Sequence, residues 1–343
     1  MNLSTTKKCR SILAFLLVTF GVWIATFQAF AVIDANSSSN TSAPSDGAPW
    51  DSVVGVNGAS GVYIGGGWVL TASHVGVGSI GVGGGSFAPD GNSLRLTNSD
   101  GSGTDLILFH LTSAPPLPSV PLVTATPAAF SQIDMIGFGH IAGSAQTNFG
   151  LYSGFYWSYG TTKSWGNNEV NLGGTTTINV GYGNLTAFVS DFTSPGTLGP
   201  GSQTSDEAQV SFGDSGGGVF QKNGALWQLV GILDAEANQV NQQAGTAVYG
   251  DKTYMADIAT YQSQIAAVLA AQPVPNLSIS HSGIDALVCW PDNGVSYTLL
   301  EAGSASSSSW SAVSSQSSFS TNGLICVSVP DSSSLRFFRL QRP

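Results

Sequence analysis

The chain has 343 residues, and only 9% of them carry a charged side chain. Twenty acidic and ten basic residues give a formal net charge of −10. This balance argues against a nucleic acid or an anionic membrane surface as partner, because both are bound through lysine and arginine. A chain of this length is expected to fold into two or three domains.

Residues 1–31 have the layout of a secretory signal peptide. Lys7, Lys8 and Arg10 precede an apolar run over residues 12–27, and the segment ends in the small-residue pattern AFA. A positive start, an apolar middle and a small-residue end define such peptides, so we expect a secreted protein with no stable membrane insertion after cleavage. Because the apolar run is long, an uncleaved membrane anchor is the alternative.

Residues 32–52 follow as a polar segment that includes the sequence DANSSSNTSAPSDGAP. No hydrophobic periodicity is visible there, which predicts a disordered leader or a short pro-segment. Removal of residues 1–31 takes away three basic residues and no acidic ones, and the formal charge changes from −10 to −13.

Residues 53–272 are predicted to form one all-β domain. Short apolar runs such as VVGV, DLILFHL and WQLVGIL are separated by Gly, Asn, Asp and Ser, which is typical of strands joined by turns in a barrel or sandwich. Residues 251–272 are the exception, because apolar side chains recur there every three or four residues. That spacing predicts an amphipathic helix that closes the domain.

Residues 273–276 contain two prolines and are expected to be a linker. Further short strands in residues 277–343 predict a small β-sandwich of ordinary size. Cys289 and Cys326 both lie in apolar strand patterns of this unit. An exported protein can join them in one disulfide, and two buried free thiols are the alternative.

Three short motifs in the all-β domain carry side chains that could do chemistry. His74 follows the apolar run WVLTAS, Asp105 opens the run DLILFHL, and Ser215 lies in GDSGGG. A histidine and an acid at strand ends, with a serine among glycines, are the parts of a nucleophilic site. Each motif alone also fits a strand-end loop or a tight turn, and only the three together favour a catalytic site.

The order His, Asp, Ser with these motifs resembles the trypsin-like serine endopeptidases of the chymotrypsin fold, over about residues 53–270. The resemblance implies a two-barrel domain in which Ser215 is the nucleophile, His74 the general base and Asp105 the group that orients it. It also implies an oxyanion hole formed by the backbone amides of Gly213 and Ser215. The C-terminal unit is similar to the fibronectin-III or immunoglobulin-like modules of exported bacterial enzymes.

The chain departs from the family pattern at two places. The resemblance implies that Asp214 pairs with a newly exposed N-terminal amine, and VVGV at Val53 resembles such a terminus. No Lys or Arg occurs between residues 11 and 94, so cleavage after a basic residue is excluded there. The resemblance also implies that Gln209 lines the primary specificity pocket, at the position where a trypsin-like enzyme has an acid. We expect Leu233 and Asp234 to bind substrate as well, and Asp206, Glu207 or Asp234 could reach the pocket if the loops differ.

We therefore expect a secreted serine endopeptidase that acts on polypeptides and needs no cofactor. The sequence predicts no metal site, because no His, Cys and carboxylate cluster has ligand spacing. A catalytically inactive binding or adhesion protein is the alternative. An α/β-type esterase does not fit, since it requires the order Ser, acid, His. The C-terminal unit could attach the protein to a surface or polymer.

Overall fold

The computed structural model describes residues 32–35, 40–143, 145–158, 160–282, 285–293, 295–313, 318–330 and 334–342. The predicted signal peptide, residues 1–31, lies outside the described residues. No helix in the described part of the chain has the length and apolar character needed to cross a membrane.

The first part of the described chain forms strands joined by turns. They are β1 (Ile33–Asp34), β2 (Val53–Val56), β3 (Ala59–Gly65), β4 (Trp68–Ala72), β5 (Ile80–Val82), β6 (Gly85–Phe87), β7 (Pro89–Thr97) and β8 (Gly103–Leu111). A five-stranded antiparallel sheet has the order β2-β3-β4-β8-β7. Successive side chains of a strand point to opposite faces, so Leu106 and Leu108 of β8 pack in the main core while Phe109 and Leu111 pack in a second cluster.

The second part contains the further strands that precede the helix. They are β9 (Gln132–Gly139), β10 (Thr147–Phe149), β11 (Tyr152–Tyr156), β12 (Thr162–Glu169), β13 (Thr176–Asn179), β14 (Asn184–Asp191), β15 (Ala208–Gln209), β16 (Gly218–Asn223), β17 (Leu226–Ala237), β18 (Thr246–Val248) and β19 (Lys252–Asp257). Seven of them form a sheet in the order β12-β9-β16-β17-β19-β14-β13.

One apolar core joins the two sheets and the helix. Leu70 from the first sheet, Leu233 from the second and Ile265 from the helix are fully buried in the same cluster. The prediction of an all-β fold with two sheet units closed by a helix is confirmed. Within the described residues, the hydrogen-bonded strand orders are open rather than closed into barrels.

Helix α1 (Ile258–Ala270) begins later than the sequence predicts. The first part of the predicted helix is β19, which pairs with β17 and β14, so Met255 lies opposite Leu233 and Phe188. Two flanking strands satisfy the backbone of this segment on both sides, and this outweighs a helical spacing of apolar side chains. Helix α1 buries Ile258, Tyr261, Ile265 and Leu269.

The prediction of a disordered leader over residues 32–52 is wrong for its described part. Ile33 and Asp34 form β1, which pairs with β15, and the side chains of Val32 and Ile33 have no exposed surface. Full burial of one such side chain contributes about 1.5–3 kcal/mol, which is enough to order a short segment. Ala48 and Ser52 are buried as well.

The described residues of the C-terminal unit form seven strands in two sheets. They are β20 (Ser278–Ser282), β21 (Asp285–Pro291), β22 (Thr298–Ala302), β23 (Ser311–Ala312), β24 (Phe319–Thr321), β25 (Leu324–Pro330) and β26 (Phe337–Gln341), in the orders β20-β21-β25-β24 and β23-β22-β26. Cys289 and Cys326 lie opposite each other on β21 and β25 and form a disulfide. The disulfide prediction is therefore confirmed, and the alternative of two free thiols is wrong.

The C-terminal unit packs against the larger one at a distance from the three motifs. The backbone N–H of Ser119 donates to the Asp292 carboxylate at 2.8 Å, and the N–H of Gly66 donates to the Asp292 carbonyl at 3.3 Å. A cavity of about 450 Å³ lies where helix α1 faces this unit. The domain boundaries at residues 272 and 277 remain predictions.

Candidate active site

Strand pairing brings His74 and Asp105 together. Strand β4 ends at Ala72, which lies opposite Leu106 on β8. The chain continues past this pair, and the N–H of Ser73 donates to the Asp105 carbonyl at 3.2 Å. His74 is the next residue, so two adjacent antiparallel strands fix the imidazole beside the carboxylate.

Asp105 holds His74 through two hydrogen bonds. The backbone N–H of His74 donates to Oδ1 at 2.9 Å, and ring Nδ1 lies 2.7 Å from Oδ2. Asp105 has no exposed surface, and the His74 side chain is 11% exposed. A carboxylate at Nδ1 requires the proton there, which leaves Nε2 as the basic nitrogen of the neutral ring.

Ser215 lies in a tight glycine loop that packs on the first sheet. Gly213 and Gly216 have φ values of 105° and 84°, a region that favours glycine. A Cβ atom on Gly216 would lie 2.1 Å from the Ser60 carbonyl oxygen and 2.1 Å from Oγ1 of Thr71. The loop therefore packs directly on β3 and on β4, the strand that precedes His74 in the chain. Only glycine permits this close approach.

The two side-chain atoms that are expected to react, one on His74 and one on Ser215, are not hydrogen-bonded to each other. Nε2 of His74 and Oγ of Ser215 are both buried, and neither has a hydrogen-bond partner within the described residues. Catalytic hydrogen bonds are often long in an unliganded enzyme and tighten when substrate binds. No hydrogen bond joins the candidate base to the candidate nucleophile in the described structure.

The glycine loop also presents the two backbone amides that the resemblance assigns to the oxyanion hole. The carbonyl of Gly213 accepts a hydrogen bond from the Ser60 hydroxyl at 2.8 Å, and Ser60 in turn accepts one from the Phe138 amide at 2.8 Å. Within the described chain, neither the N–H of Gly213 nor that of Ser215 donates a hydrogen bond. Both amides are therefore unused donors within the described chain.

Asp214, next to the candidate nucleophile, is buried without a partner. Neither of its carboxylate oxygens accepts a hydrogen bond within the described chain, and burial raises its pKa well above the ordinary value. Gly137 makes room for it, because a Cβ there would lie 1.7 Å from Oδ1. A buried carboxylate in this state calls for a proton or a cation.

Val32, rather than the VVGV segment, is linked through neighbouring residues to the surroundings of Asp214. Ser164 lies opposite Gly137 in the β9–β12 pair, and its hydroxyl donates to the Val32 carbonyl at 3.2 Å. The amide of Val53, in contrast, is bonded to the Trp50 carbonyl inside the fold. Val32, the first residue after the predicted signal peptide, thus contacts Ser164, and Ser164 lies opposite Gly137, the glycine that faces the Asp214 carboxylate.

Gln209 lies where the resemblance puts the base of the substrate pocket, but its side chain is engaged. Its Nε2 donates to the Lys252 carbonyl at 3.2 Å, and its Oε1 accepts from the Thr253 hydroxyl at 3.0 Å. Both Gln209 and Thr253 are fully buried. The side chains of Gln209 and Thr253 therefore occupy the expected base of the substrate pocket and are hydrogen-bonded to each other.

The cavity beside Ser215 is small. Its volume is about 10 Å³, and its lining includes Leu233, Asp234 and Glu236. Such a volume holds about one water molecule. Burial, as the first cause, raises the pKa of Glu236 to about 8. The cavity has room for the side chain of glycine or alanine but not for a long side chain.

The side chains of the other two histidines of the large domain have other partners, although the backbone of His140 is bonded to Ser211 and Phe212 at the start of the glycine loop. His110 contacts Asp90 through Nδ1 at 2.7 Å, and both side chains are about one quarter exposed. His140 contacts the Gly160 carbonyl and stacks on Trp157. Within the described residues, His74 alone combines a fully buried carboxylate with the neighbouring glycine loop.

Asp234 has a position that the sequence did not reveal. The resemblance implied a substrate-binding role, but one side-chain ligand atom of each of Asp234, Asp105 and His74 lies within 4.8 Å of the others. The signal for it in the sequence is an acid that directly follows the apolar run LVGIL within one strand.

Comparison with known proteins gives weak likenesses only. No protein-family model matches the chain, and no curated protein matches it in sequence. The solved structures that resemble it include an inactive mutant of the NS6 protease of murine norovirus, with 15% identity, a TM-score of 0.35 and coverage of 61% of this chain and 98% of that one. Another structure of NS6 protease, from murine norovirus 1, has 16% identity, a TM-score of 0.33 and coverage of 63% and 93%. Likenesses this low carry no conclusion about this chain.

Proposed function

We propose that the protein is a serine endopeptidase that cleaves polypeptides through an acyl-enzyme on Ser215. Nε2 of His74 takes the hydroxyl proton as Oγ attacks the peptide carbonyl, and then gives it to the leaving amine. Asp105 keeps the ring in the required tautomer and stabilises its charged form. The amides of Gly213 and Ser215 donate to the oxyanion, and loss of one such donor typically costs about 3–4 kcal/mol.

The observation that carries the proposal is the pairing of His74 with Asp105 beside the glycine loop. Both oxygens of the fully buried Asp105 carboxylate accept hydrogen bonds from His74. Nε2 of His74 has no hydrogen-bond partner within the described residues. The glycine loop presents Ser215 and two backbone amides that donate no hydrogen bond there. A histidine with a purely structural role does not require a buried carboxylate at Nδ1 together with an unbonded Nε2. The motif resemblance supports the same assignment.

A catalytically inactive binding or adhesion protein is the second candidate. Within the described residues, the unformed hydrogen bond between His74 and Ser215 and the unpaired Asp214 carboxylate favour it. The C-terminal unit would then carry the function by binding a surface or a polymer. In the active enzyme the same unit would localise the protease near its substrates outside the cell.

A fluorophosphonate probe distinguishes these two functions. The secreted protein is expected to bind one probe molecule covalently at Ser215, because the probe reacts only with a serine activated by a base. The Ser215→Ala variant and heat-unfolded protein are the controls and should remain unlabelled. A folded protein with an unmodified N-terminus at residue 32 that takes up no probe would establish the inactive alternative.

The small cavity predicts a substrate preference. Peptides with glycine or alanine before the scissile bond should be cleaved at least about tenfold more efficiently than those with phenylalanine or lysine, because a larger side chain cannot enter without displacing Leu233 or Glu236. The measurement is kcat/KM for peptides that differ only at that position. Faster cleavage of the phenylalanine or lysine peptide would contradict the assignment of this cavity.

A further inference from the structure

Asp234 is the extra residue of a β-bulge beside the candidate triad. Leu233 lies opposite Met255 and Ala235 opposite Tyr254, so Asp234 has no partner in the β17–β19 register. A bulge re-aims one side chain, and bulges are frequent next to active sites. This one turns a carboxylate away from the ladder and into the protein.

Asp234 and Asp105 form a buried acidic pair with one histidine. Asp234 is 4% exposed and Asp105 is not exposed at all, and His74, Asp105 and Asp234 bring side-chain atoms within 4.8 Å of one another. Two buried carboxylates at such a distance do not both ionise, since like charges repel strongly in a medium of low polarity. One of the two must hold a proton.

The hydrogen bonds decide which carboxyl holds it. Asp105 accepts two hydrogen bonds from His74, and both stabilise its charged form. Asp234 accepts none within the described chain at either oxygen. The proton therefore belongs to Asp234.

We propose that Asp234 is a positioning residue that works as an uncharged acid and donates its proton toward the Asp105 carboxylate. This inference rests on the proposed peptidase function. The donated hydrogen bond keeps the Asp105 carboxylate aimed at Nδ1 of His74. The proton stays on Asp234 throughout the reaction, and His74 alone exchanges a proton with Ser215.

The charges around Asp234 agree with this assignment. Burial comes first and the charge of Asp105 second among the causes that raise the pKa of Asp234 well above its ordinary value. The other ionisable groups on the elements packed around β17 are His74, Asp214, Glu236 on the same strand, Lys222 on β16, and Lys252, Tyr254 and Asp257 on β19. Lys252 is paired with Asp191, and Asp234 has no hydrogen-bond partner among the described residues.

Two variants with side chains of similar size test whether Asp234 acts as a neutral hydrogen-bond donor, as a charge or only through packing. Asp234→Asn keeps a neutral side chain that can donate, and its kcat should stay at least about fivefold above that of Asp234→Leu. Asp234→Leu keeps the volume without a donor, and kcat should fall about tenfold or more with little change in KM. A loss in the Asn variant as large as in the Leu variant would overturn the proposal, and so would a Leu variant with unchanged kcat.

Two measurements on the folded protein need no peptidase activity. The infrared difference spectrum between parent and Asp234→Asn at neutral pH should show the loss of one protonated carboxyl band, with bands of other buried acids cancelling. Titration of His74 by nuclear magnetic resonance should give the same pKa in both proteins. The absence of the band, or a clearly lower His74 pKa in the Asn variant, means that Asp234 is charged and the inference fails. A protein that passes both tests but does not react with fluorophosphonate refutes the peptidase function alone.

Discussion

Replacement of His74 by alanine is expected to lower kcat/KM for a small peptide by about 10⁴-fold or more, with the protein still folded and secreted. Removal of one member of such a triad costs about as much as removal of all of it, because the serine is not nucleophilic without its base. The His74 side chain is mostly buried but belongs to neither the main core nor the second cluster. Stopped assays of peptide cleavage, with thermal unfolding as the check on folding, measure this effect.

The other two histidines supply matched controls. His110 bonds to Asp90 at the far end of β8, and His140 stacks on Trp157. Neither arrangement includes the Ser215 side chain, so His110→Ala and His140→Ala should retain activity within about tenfold. A folded His140→Ala protein that had lost cleavage altogether would mean that the wrong histidine is assigned as the base.

The site could be predicted because its parts lie at strand ends. WVLTA and DLILFHL are apolar runs that form adjacent strands, and a residue placed close to the end of such a run lies near the edge of the sheet. His74 and Asp105 meet for that reason. The glycines around Ser215 have a similar local cause, since only residues without Cβ fit where the loop presses on Ser60 and Thr71.

The remaining features depend on tertiary partners that a local pattern does not contain. Residues 252–257 have the spacing of a helix but are a strand because β17 and β14 flank them. Val32 and Ile33 are only two apolar residues ahead of a polar segment, and β15 gives them a place. The bulge that turns Asp234 toward Asp105 arises from the register of two strands, which no single stretch of sequence encodes.

The N-terminus of the processed chain should control activity. In a form that begins at Val32, we expect the α-amino group to reach the Asp214 carboxylate. The Val32 carbonyl is bonded to Ser164, which lies opposite Gly137, and Gly137 faces Asp214. The amine would neutralise a buried carboxylate that otherwise has no partner among the described residues. An ionised Asp214 tied to this amine would hold the neighbouring amides of Gly213 and Ser215 in position for the oxyanion.

The test compares the form that begins at Val32 with one that carries a single extra glycine before it. The extended form is expected to lose about 10²–10³-fold in kcat, the size of effect seen when an oxyanion donor is lost.

The stability of the extended form should also respond to pH in a defined direction. An unpaired Asp214 has a raised pKa in the folded chain, so it binds a proton more tightly folded than unfolded. The extended form should therefore lose stability as pH rises above about 3.9, the ordinary pKa of aspartate. Asp214→Asn removes this pH dependence, and it should also make the two forms equally inactive. Equal activity of the extended and the unextended protein would show that Asp214 is satisfied in another way.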